Sequence, residues 1–583
     1  MLAGPIFSRE ALTSPRQLKH FLIRAGYVGA LFIMMYTAGQ ATFGWQQVRY
    51  VGEVAKFGGL AFQLFSVVQL SLVLFFALIF AAGSVAQEKD RQTLILLLMT
   101  DLRNRELVLG KLFASLLMVA VLLATSVPVL AFIHLLGGVT IEQVGWTLAV
   151  SAATALAAGS WGLLVAYWRE KTFQTLAISV LGVVLALGLV EAVVLLAPEG
   201  SALAHWAGLL NPYRTLAGIL DPLSSHSGLE PISVSAWDYI AAMGIVAVAI
   251  NLYTGIRLRV WNPSRTTFTH AGLQAVEEAE RTAVRPAVAH RSIWNNPVIW
   301  REIRTKAYGR KILAIKAVYV IIAAFAGWSL IRSGGSAGSE LVLGMISPAG
   351  FAFVGLGLVS LMLINAQAVT SLTNERDGKT LELLLMTDIS AKEFIFGKLG
   401  GILYNTKELV LIPLVLIGYF VVTGNLGIEN LLFVAFGYFV LVAFASMLGL
   451  HSGLSYDSSR AAIANSLGTI FFLFIGIFIF MILLLEARSS FAQQFASFLV
   501  FILAGSMALY ASLSHKNPSN ALKLAAGVLP FLTFYAITEF LLKGSLGVCL
   551  AISAAYGFTT LAMMIPAVSE FDVALGRTTL DKG

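Results

Sequence analysis

The sequence predicts an all-α, polytopic helical membrane protein made of two parallel-oriented repeats with about 12–14 transmembrane helices. Three observations carry that expectation. Of 583 residues, 58% are hydrophobic and only 12% charged, and the mean hydropathy is +0.83, a composition no ordinary soluble domain shows. The charges gather in short islands between continuous apolar runs of roughly 20 residues, the length a helix needs to cross the hydrocarbon core, and continuity rather than alternation argues against a barrel. Finally, residues 84–112 and 371–399 are nearly the same polar segment, placed 287 residues apart with 15 of 29 positions identical. Lipid-facing sequence drifts freely among apolar residues, so a duplicated polar element marks a surface kept twice.

About 14 spans are read in order, near residues 24–42, 58–83, 107–136, 143–167, 173–197, 236–256, 312–331, 345–370, 394–423, 429–452, 463–486, 493–513, 521–541 and 545–567. With the N-terminus inside, the inner segments hold about 30 of the 39 Lys and Arg and the outer loops about six, as the positive-inside rule requires. The basic start (Arg9, Arg16, Lys19, Arg24) lacks a small-x-small cleavage pattern, so the first apolar run reads as an uncleaved helix. A pI of 9.4 then reports inner loops facing anionic lipid, not a nucleic-acid partner. The single cysteine, Cys549, excludes a disulfide framework or a cysteine metal site within the chain.

Residues 1–256 form a first half of about six spans, and residues 312–583 a second half of six to eight. An even first half makes both repeats enter the membrane from the same side, related by an axis along its normal. The intervening 257–311 stretch has 11 basic and four acidic residues and no run long enough to span, so it reads as a cytoplasmic linker, helix-forming in its A-G-L-Q-A-V-E-E-A-E-R-T-A middle. Its end, P-V-I-W-R-E with Arg301 and Glu302, echoes P-I-F-S-R-E with Arg9 and Glu10. Each copy precedes the first span of its half, which predicts an interfacial entry helix; the plainer reading is a basic flank that obeys the positive-inside rule. The apolar outer stretch 197–237 predicts a short helix on or in the outer leaflet.

Within the repeated segment, residues 94–99 are six apolar side chains between charged neighbours. They are too few to cross a bilayer and cost roughly 1.5–3 kcal/mol per large side chain if left in water, so they need a partner surface or the lipid interface. Helical spacing puts Leu94, Leu97 and Leu98 on one face, and Leu381, Leu384 and Leu385 likewise. Glu382 stands where Ile95 does, so that position reads as water-facing. Ser390 to Glu393 fits a capping box; the first copy has Arg103 to Glu106 there and is less well capped.

The order E-x-x-x-x-T-L-x-L-L-x-x-T-D-x-x-x-x-E-x-x-x-G-K between the second and third spans of each half resembles the permease subunits of ABC-type exporters of the second type. Its specific residues are confined to these two segments and the two P-x-x-x-R-E entries; six spans per half is the common unit, so the pair near 493–541 is a departure. The resemblance implies a coupling helix that docks in a groove of a cytoplasmic ATPase, and an entry helix along the inner leaflet. Carried over, Glu88, Thr93, Leu94, Leu97 and Leu98, with Glu375, Thr380, Leu381, Leu384 and Leu385, become ATPase contacts. It also implies two ATPase copies as partners, ATP consumed by them and no cofactor in this chain. The chain itself would be a transport subunit, not an enzyme, in a prokaryotic cytoplasmic membrane with both termini cytoplasmic.

Several features are decoys. Residues 373–380 are one substitution from G-x-x-x-x-G-K-T, but the first glycine is missing and no strand precedes. Residues 333–336 (S-G-G-S) suggest an ATPase signature but fall outside the membrane. Glu191, Lys407, Glu408 and Glu539 lie within apolar runs, where ionisable residues are functional by default, yet Lys407 and Glu408 align with Ala120 and Val121 and form no symmetric site. Residues 449–453 (G-L-H-S-G) read as helix packing. Two other classes stay open: a non-transporting ABC assembly doing mechanical work, which a large outer domain would favour, and an ion-coupled transporter, which paired intramembrane carboxylates would favour.

Overall fold

Backbone amides crossing a hydrocarbon layer must be satisfied within their own segment, and each long apolar run here is accordingly a helix. The computed structural model describes residues 4–13, 18–43, 50–196, 201–220, 236–262, 296–304, 312–332, 348–378, 380–385, 389–422, 424, 426–486, 491–515, 519–542 and 544–574. Among them are 21 helices and no strand. The first half contributes α1 (Gly4–Thr13), α2 (Leu18–Phe43), α3 (Val51–Asp90), α4 (Thr93–Leu98), α5 (Asn104–Leu136), α6 (Ile141–Trp168), α7 (Thr172–Leu196), α8 (Ala202–Gly208), α9 (Pro212–Leu220) and α10 (Ala236–Trp261). The second contributes α11 (Pro297–Arg304), α12 (Ile312–Arg332), α13 (Pro348–Asp377), α14 (Thr380–Leu385), α15 (Ala391–Asn405), α16 (Lys407–Val422), α17 (Ile428–Ser455), α18 (Ser459–Glu486), α19 (Phe491–Leu513), α20 (Asn520–Leu541) and α21 (Ser545–Ala574).

Ten of these helices are long and apolar enough to span, eleven if the bent pair α15–α16 counts as one. Each expected span coincides with a helix or with that pair. Among the described residues, however, α2, α12 and α19 do not belong to the helices long and apolar enough to span, so the expected 12–14 spans become ten or eleven there. The expected linker helix and the S-G-G-S stretch lie outside the described residues. The outer stretch after α7 supplies α8 and α9, and α9 packs against α3, α6 and α10.

Helix packing in the two halves follows one plan. α3 packs on α5, α6 and α7, and α13 packs on α15, α17 and α18 in the same order. The closest crossing rests on a glycine at the same register. A Cβ on Gly162 would meet the Leu78 carbonyl at 2.7 Å, and one on Gly449 would meet the Asn365 carbonyl at 2.8 Å. Leu78 and Asn365, like Gly162 and Gly449, are 287 residues apart. Small residues at such crossings let backbones approach and gain dispersion contacts where lipid offers no hydrophobic drive. Gly162→Ala or Gly449→Ala should therefore destabilise the fold by about 1–3 kcal/mol, read as a lowered melting midpoint in detergent. Gly145, with open space at its Cβ, should accept alanine silently.

The helix pair beyond six spans is located by the same comparison. α10 closes the first half on α6 and α5, and α21 closes the second on α17 and α15. α19 and α20 are thus an inserted hairpin between fifth and sixth spans. His451 of α17 ties it in through a 2.8 Å hydrogen bond between Nε2 and the Leu513 carbonyl, and α19 also packs on α2 of the other half.

The halves meet where α3 touches α18 and where α7 touches α12 and α13. Phe75 and Phe471 stack face to face there, 4.0 Å apart, and Phe76 approaches Phe472. The third span of the second half bends by 54° between Asn405 and Lys407. Pro413 lacks the N–H that would serve the Leu409 carbonyl. Ser360 Oγ donates to that carbonyl instead at 2.8 Å, and Tyr319 bonds Ser360.

Candidate functional site

The repeated segment begins with the last residues of the second span, Glu88-Lys89-Asp90 in α3 and Glu375-Arg376-Asp377 in α13. Each of the three side chains reaches a different neighbouring helix, and both copies reach equivalent partners. Glu88 pairs with Lys111 of α5; Glu375 pairs with Lys398 of α15 at 2.7 Å. Lys89 donates to the Tyr167 carbonyl and, at 2.9 Å, to the Arg169 carbonyl at the end of α6. Arg376 donates to the Gly453 carbonyl at 3.0 Å and to the Tyr456 carbonyl at the end of α17. A cation at the last carbonyls of a helix satisfies groups that have no partner within it and complements the dipole. Asp90 accepts from Thr172, the first residue of α7, and Asp377 accepts from Ser459, the first residue of α18. The acidic-basic-acidic triplet therefore staples the second span to the third, fourth and fifth.

Behind the triplet the chain turns sharply into a six-residue helix. Gln92 takes the left-handed conformation, φ 59°, and Thr93 donates back to the Glu88 carbonyl at 3.3 Å. In the second copy Thr380 does the same to Glu375 at 3.1 Å.

The leucine stripe points inward. Leu94 is 2% exposed and Leu98 7%, in a cluster with Val85, Leu107 and Leu112. Leu97 is half-buried against that cluster. The side chains presented to solvent by α4 are Leu96 at 64% and, just past its end, Met99 at 66%; Ile95 is half-buried. In the second copy Leu381 and Leu384 are partly buried and packed on the core, while the Leu385 side chain lies outside the described residues. Spacing groups Leu94, Leu97 and Leu98 on one face, and that face is turned toward the chain's own helices. The chain itself covers them, because the six-residue helix lies back on the ends of α3 and α5. Glu88, Glu375, Thr93 and Thr380 are likewise engaged within the chain, as ion-pair and turn-forming groups.

The second half adds a buried charge cluster. Lys398 is 1% exposed and lies 2.7 Å from both Glu302 and Glu375; Arg301 pairs with the same two carboxylates. Glu302 and Arg301 sit on the entry helix α11, which packs into α15 over glycines. Cβ atoms on Gly397 and Gly401 would lie 2.6 Å from Val298 and Glu302 respectively. Asn296 starts α11 by accepting from the Val298 and Ile299 amides and donates to the Glu393 carbonyl at 2.9 Å. Ser390 and Glu393 form the expected capping box of α15; at α5 Glu106 returns to the Arg103 amide without a side-chain cap. In the first half α1 packs on α5, with Phe7 edge-on to Phe113. Arg9 is exposed, and the Glu10 side chain lies outside the described residues.

Sequence reasoning assigned no partner within the chain to Lys111, Lys398, Thr172 or Ser459. Their signal was present: Glu and Lys recur 23 residues apart in both copies, and the 287-residue offset that aligns the segments also aligns Thr172 with Ser459. Tyr456, which receives Arg376, stacks on His515 at 4.4 Å. Burial pushes its phenol up to about 12, so it is a neutral hydrogen-bond donor at physiological pH.

The remaining singled-out residues have structural partners. Glu191 receives a two-pronged bond from Arg214 of α9 at 2.7 and 2.6 Å, and one from Asn211. Glu408 pairs with Lys316 of α12 at 2.7 Å, and Lys407 lies over the Tyr404 ring. Glu539 lies beside Gly544 and Gly547. These carboxylates occupy unrelated positions in the two halves. Residues 373–377 are the last turns of α13, not a phosphate-binding loop. Among the described residues no three of His, Cys, Asp and Glu gather as a metal site.

The fold and the twice-built staple define a multi-pass helical membrane protein of permease architecture. Residues 20–254 match the model of the family described as ABC-2 family transporter protein, so the first half carries an ABC-2 family transporter domain, characteristic of transport subunits. Comparison with curated proteins and with solved structures finds no match.

Proposed function

We propose that the chain is a two-half permease of an ATP-driven exporter whose ATPase subunits are separate cytoplasmic proteins docking on α4 and α14. The observation that carries this reading is the staple built twice. A push on α4 reaches α3 directly and, through Glu88, Lys89 and Asp90, the ends of α5, α6 and α7. A load applied to six residues is thereby spread over four spans, as a rigid lever requires, and the same holds for α14. Closure of two ATPases would rock the halves about the seam containing Phe75 and Phe471, with the passage between them. Export is favoured by the resemblance of the repeated segments alone.

Glu191, Glu408 and Glu539 stand singly inside spans at positions that the two halves do not share, an arrangement that gives an ion-coupled mechanism no repeated site. Under the proposed topology, tags at the N-terminus, near His270 and after Lys582 are all cytoplasmic; a linker tag found outside would break the parallel-repeat reading. The direct test is energetic. The purified chain should hydrolyse no ATP, and should support hydrolysis and transport in vesicles only when co-purified with an ABC ATPase. Hydrolysis by the isolated chain, surviving removal of contaminants, would refute the proposal.

A further inference from the structure

A groove of about 870 Å3 lies between α5 and α10, beside the coupling helix of the first half. Its two ends differ in chemistry. At the α4 end the rim carries Arg103, Arg105 and Arg259 against one carboxylate, Asp101. Arg259 is held there by Asn104 Oδ1 at 2.9 Å, and Asn104 in turn donates to the Gly255 carbonyl at 2.9 Å. Neither Arg103 nor Arg105 joins an ion pair among the described residues. Away from the rim the walls are mostly apolar, with Leu109 and Phe113 on α5 and Val248, Leu252 and Ile256 on α10, and Asn251, whose amide donates to Ser160, is the polar exception. Val248, Leu252 and Ile256 are largely exposed, so the slot opens sideways to the surroundings of the helices.

The dimensions fit one molecule class. From Val248 to Arg259 the helix rises about 16 Å, which is about half of the ~30 Å hydrocarbon core, one leaflet deep. A soluble anion would use the rim and leave the slot empty; a neutral lipid would use the slot and leave the arginines unpaired. We infer that this groove binds one anionic phospholipid, its phosphate on Arg103, Arg105 and Arg259 and an acyl chain between α5 and α10. In sequence the second half has Ser390 where the first has Arg103, so the arginine rim is not repeated. One site per chain follows. Since Arg103 and Arg105 begin the helix that follows α4, the lipid stiffens the first coupling element alone. Only the assignment to the inner leaflet rests on the topology proposed above.

The test uses the full chain without any ATPase, so its failure is separable from failure of the transport reading. Delipidated protein in non-ionic detergent is titrated with phosphatidylglycerol or phosphatidylcholine of matched chains and read by native mass spectrometry. We expect one phosphatidylglycerol per chain, preferred about tenfold or more over phosphatidylcholine. The R103Q/R105Q variant should lose that preference, and R103K/R105K should restore most of it. Leu252→Trp, on an exposed face that tolerates substitution, fills the slot and should lower phosphatidylglycerol binding with all arginines in place. Glycerol 3-phosphate at the same concentration should not compete. Equal binding of the two lipids by the native chain, or an undiminished preference in R103Q/R105Q, overturns the inference. Displacement by glycerol 3-phosphate together with an indifferent Leu252→Trp assigns the site to a free phosphate and overturns it as well.

Discussion

Replacing Lys398 by methionine is expected to destabilise the permease by about 3–5 kcal/mol, the range seen when one partner of a buried ion pair is removed. Its ammonium is the point at which α11, α13 and α15 meet, within 2.7 Å of Glu302 and of Glu375. Methionine fills the volume but leaves two carboxylates facing each other, with Arg301 alone to compensate. The double variant K398M/E375Q removes one orphaned charge and should recover part of the loss, which a purely steric defect would not. Lys111→Met should cost less: its pair with Glu88 is less deeply buried and involves a single carboxylate. Melting midpoints in detergent, with folded yield as a second readout, decide the matter. A K398M protein melting like the parent would remove the charge cluster from the account of how the entry helix is held.

The second large effect separates the two faces of α4. Leu96→Asp and Met99→Asp place a charge on the surface that α4 presents to solvent, so the permease should fold and melt normally. If that surface seats in an ATPase groove, the charge is buried unpaired on docking, at a cost of at least ~2 kcal/mol and therefore well over tenfold in affinity. Leu94→Asp and Leu98→Asp should behave oppositely. They put a charge into the chain's own core, and folded yield should fall before partner binding is lost. Co-purification of a combined L96D/M99D variant with its ATPase at parental yield would rule out docking through this face. Intact folding of Leu94→Asp would contradict the inward packing of the stripe.

The comparison of expectation with structure is sharpest at these residues. Periodicity correctly grouped Leu94, Leu97 and Leu98, because side chains three and four apart on a helix share a face. It had no means to say what covers that face. A partner, a lipid interface and the chain's own neighbouring helices all bury apolar area equally well, and only the placement of α4 against α3 and α5 chooses among them. Glu88 and Glu375 were read as ATPase contacts from the family resemblance, which does not show their partners within the chain. Their lysine partners stand 23 residues away on another helix.

By itself the sequence determined the all-helical membrane class, the approximate position of the long helices and the location of the repeated element. Each follows from local physics: the length of apolar runs against bilayer thickness, the need to satisfy backbone groups within a segment, and identity at a fixed offset. Tertiary structure alone decided that α21 replaces α10 and that α19 and α20 are the insertion. It also decided that Glu-Lys-Asp and Glu-Arg-Asp each tie three further spans together, and that arginines distant in sequence, Arg103 and Arg259, share one rim. Those outcomes depend on which helices are neighbours. In a membrane that choice turns on close-packed glycines such as Gly162 and Gly449 and on single polar pairs, whose effect is set by geometry and not by composition.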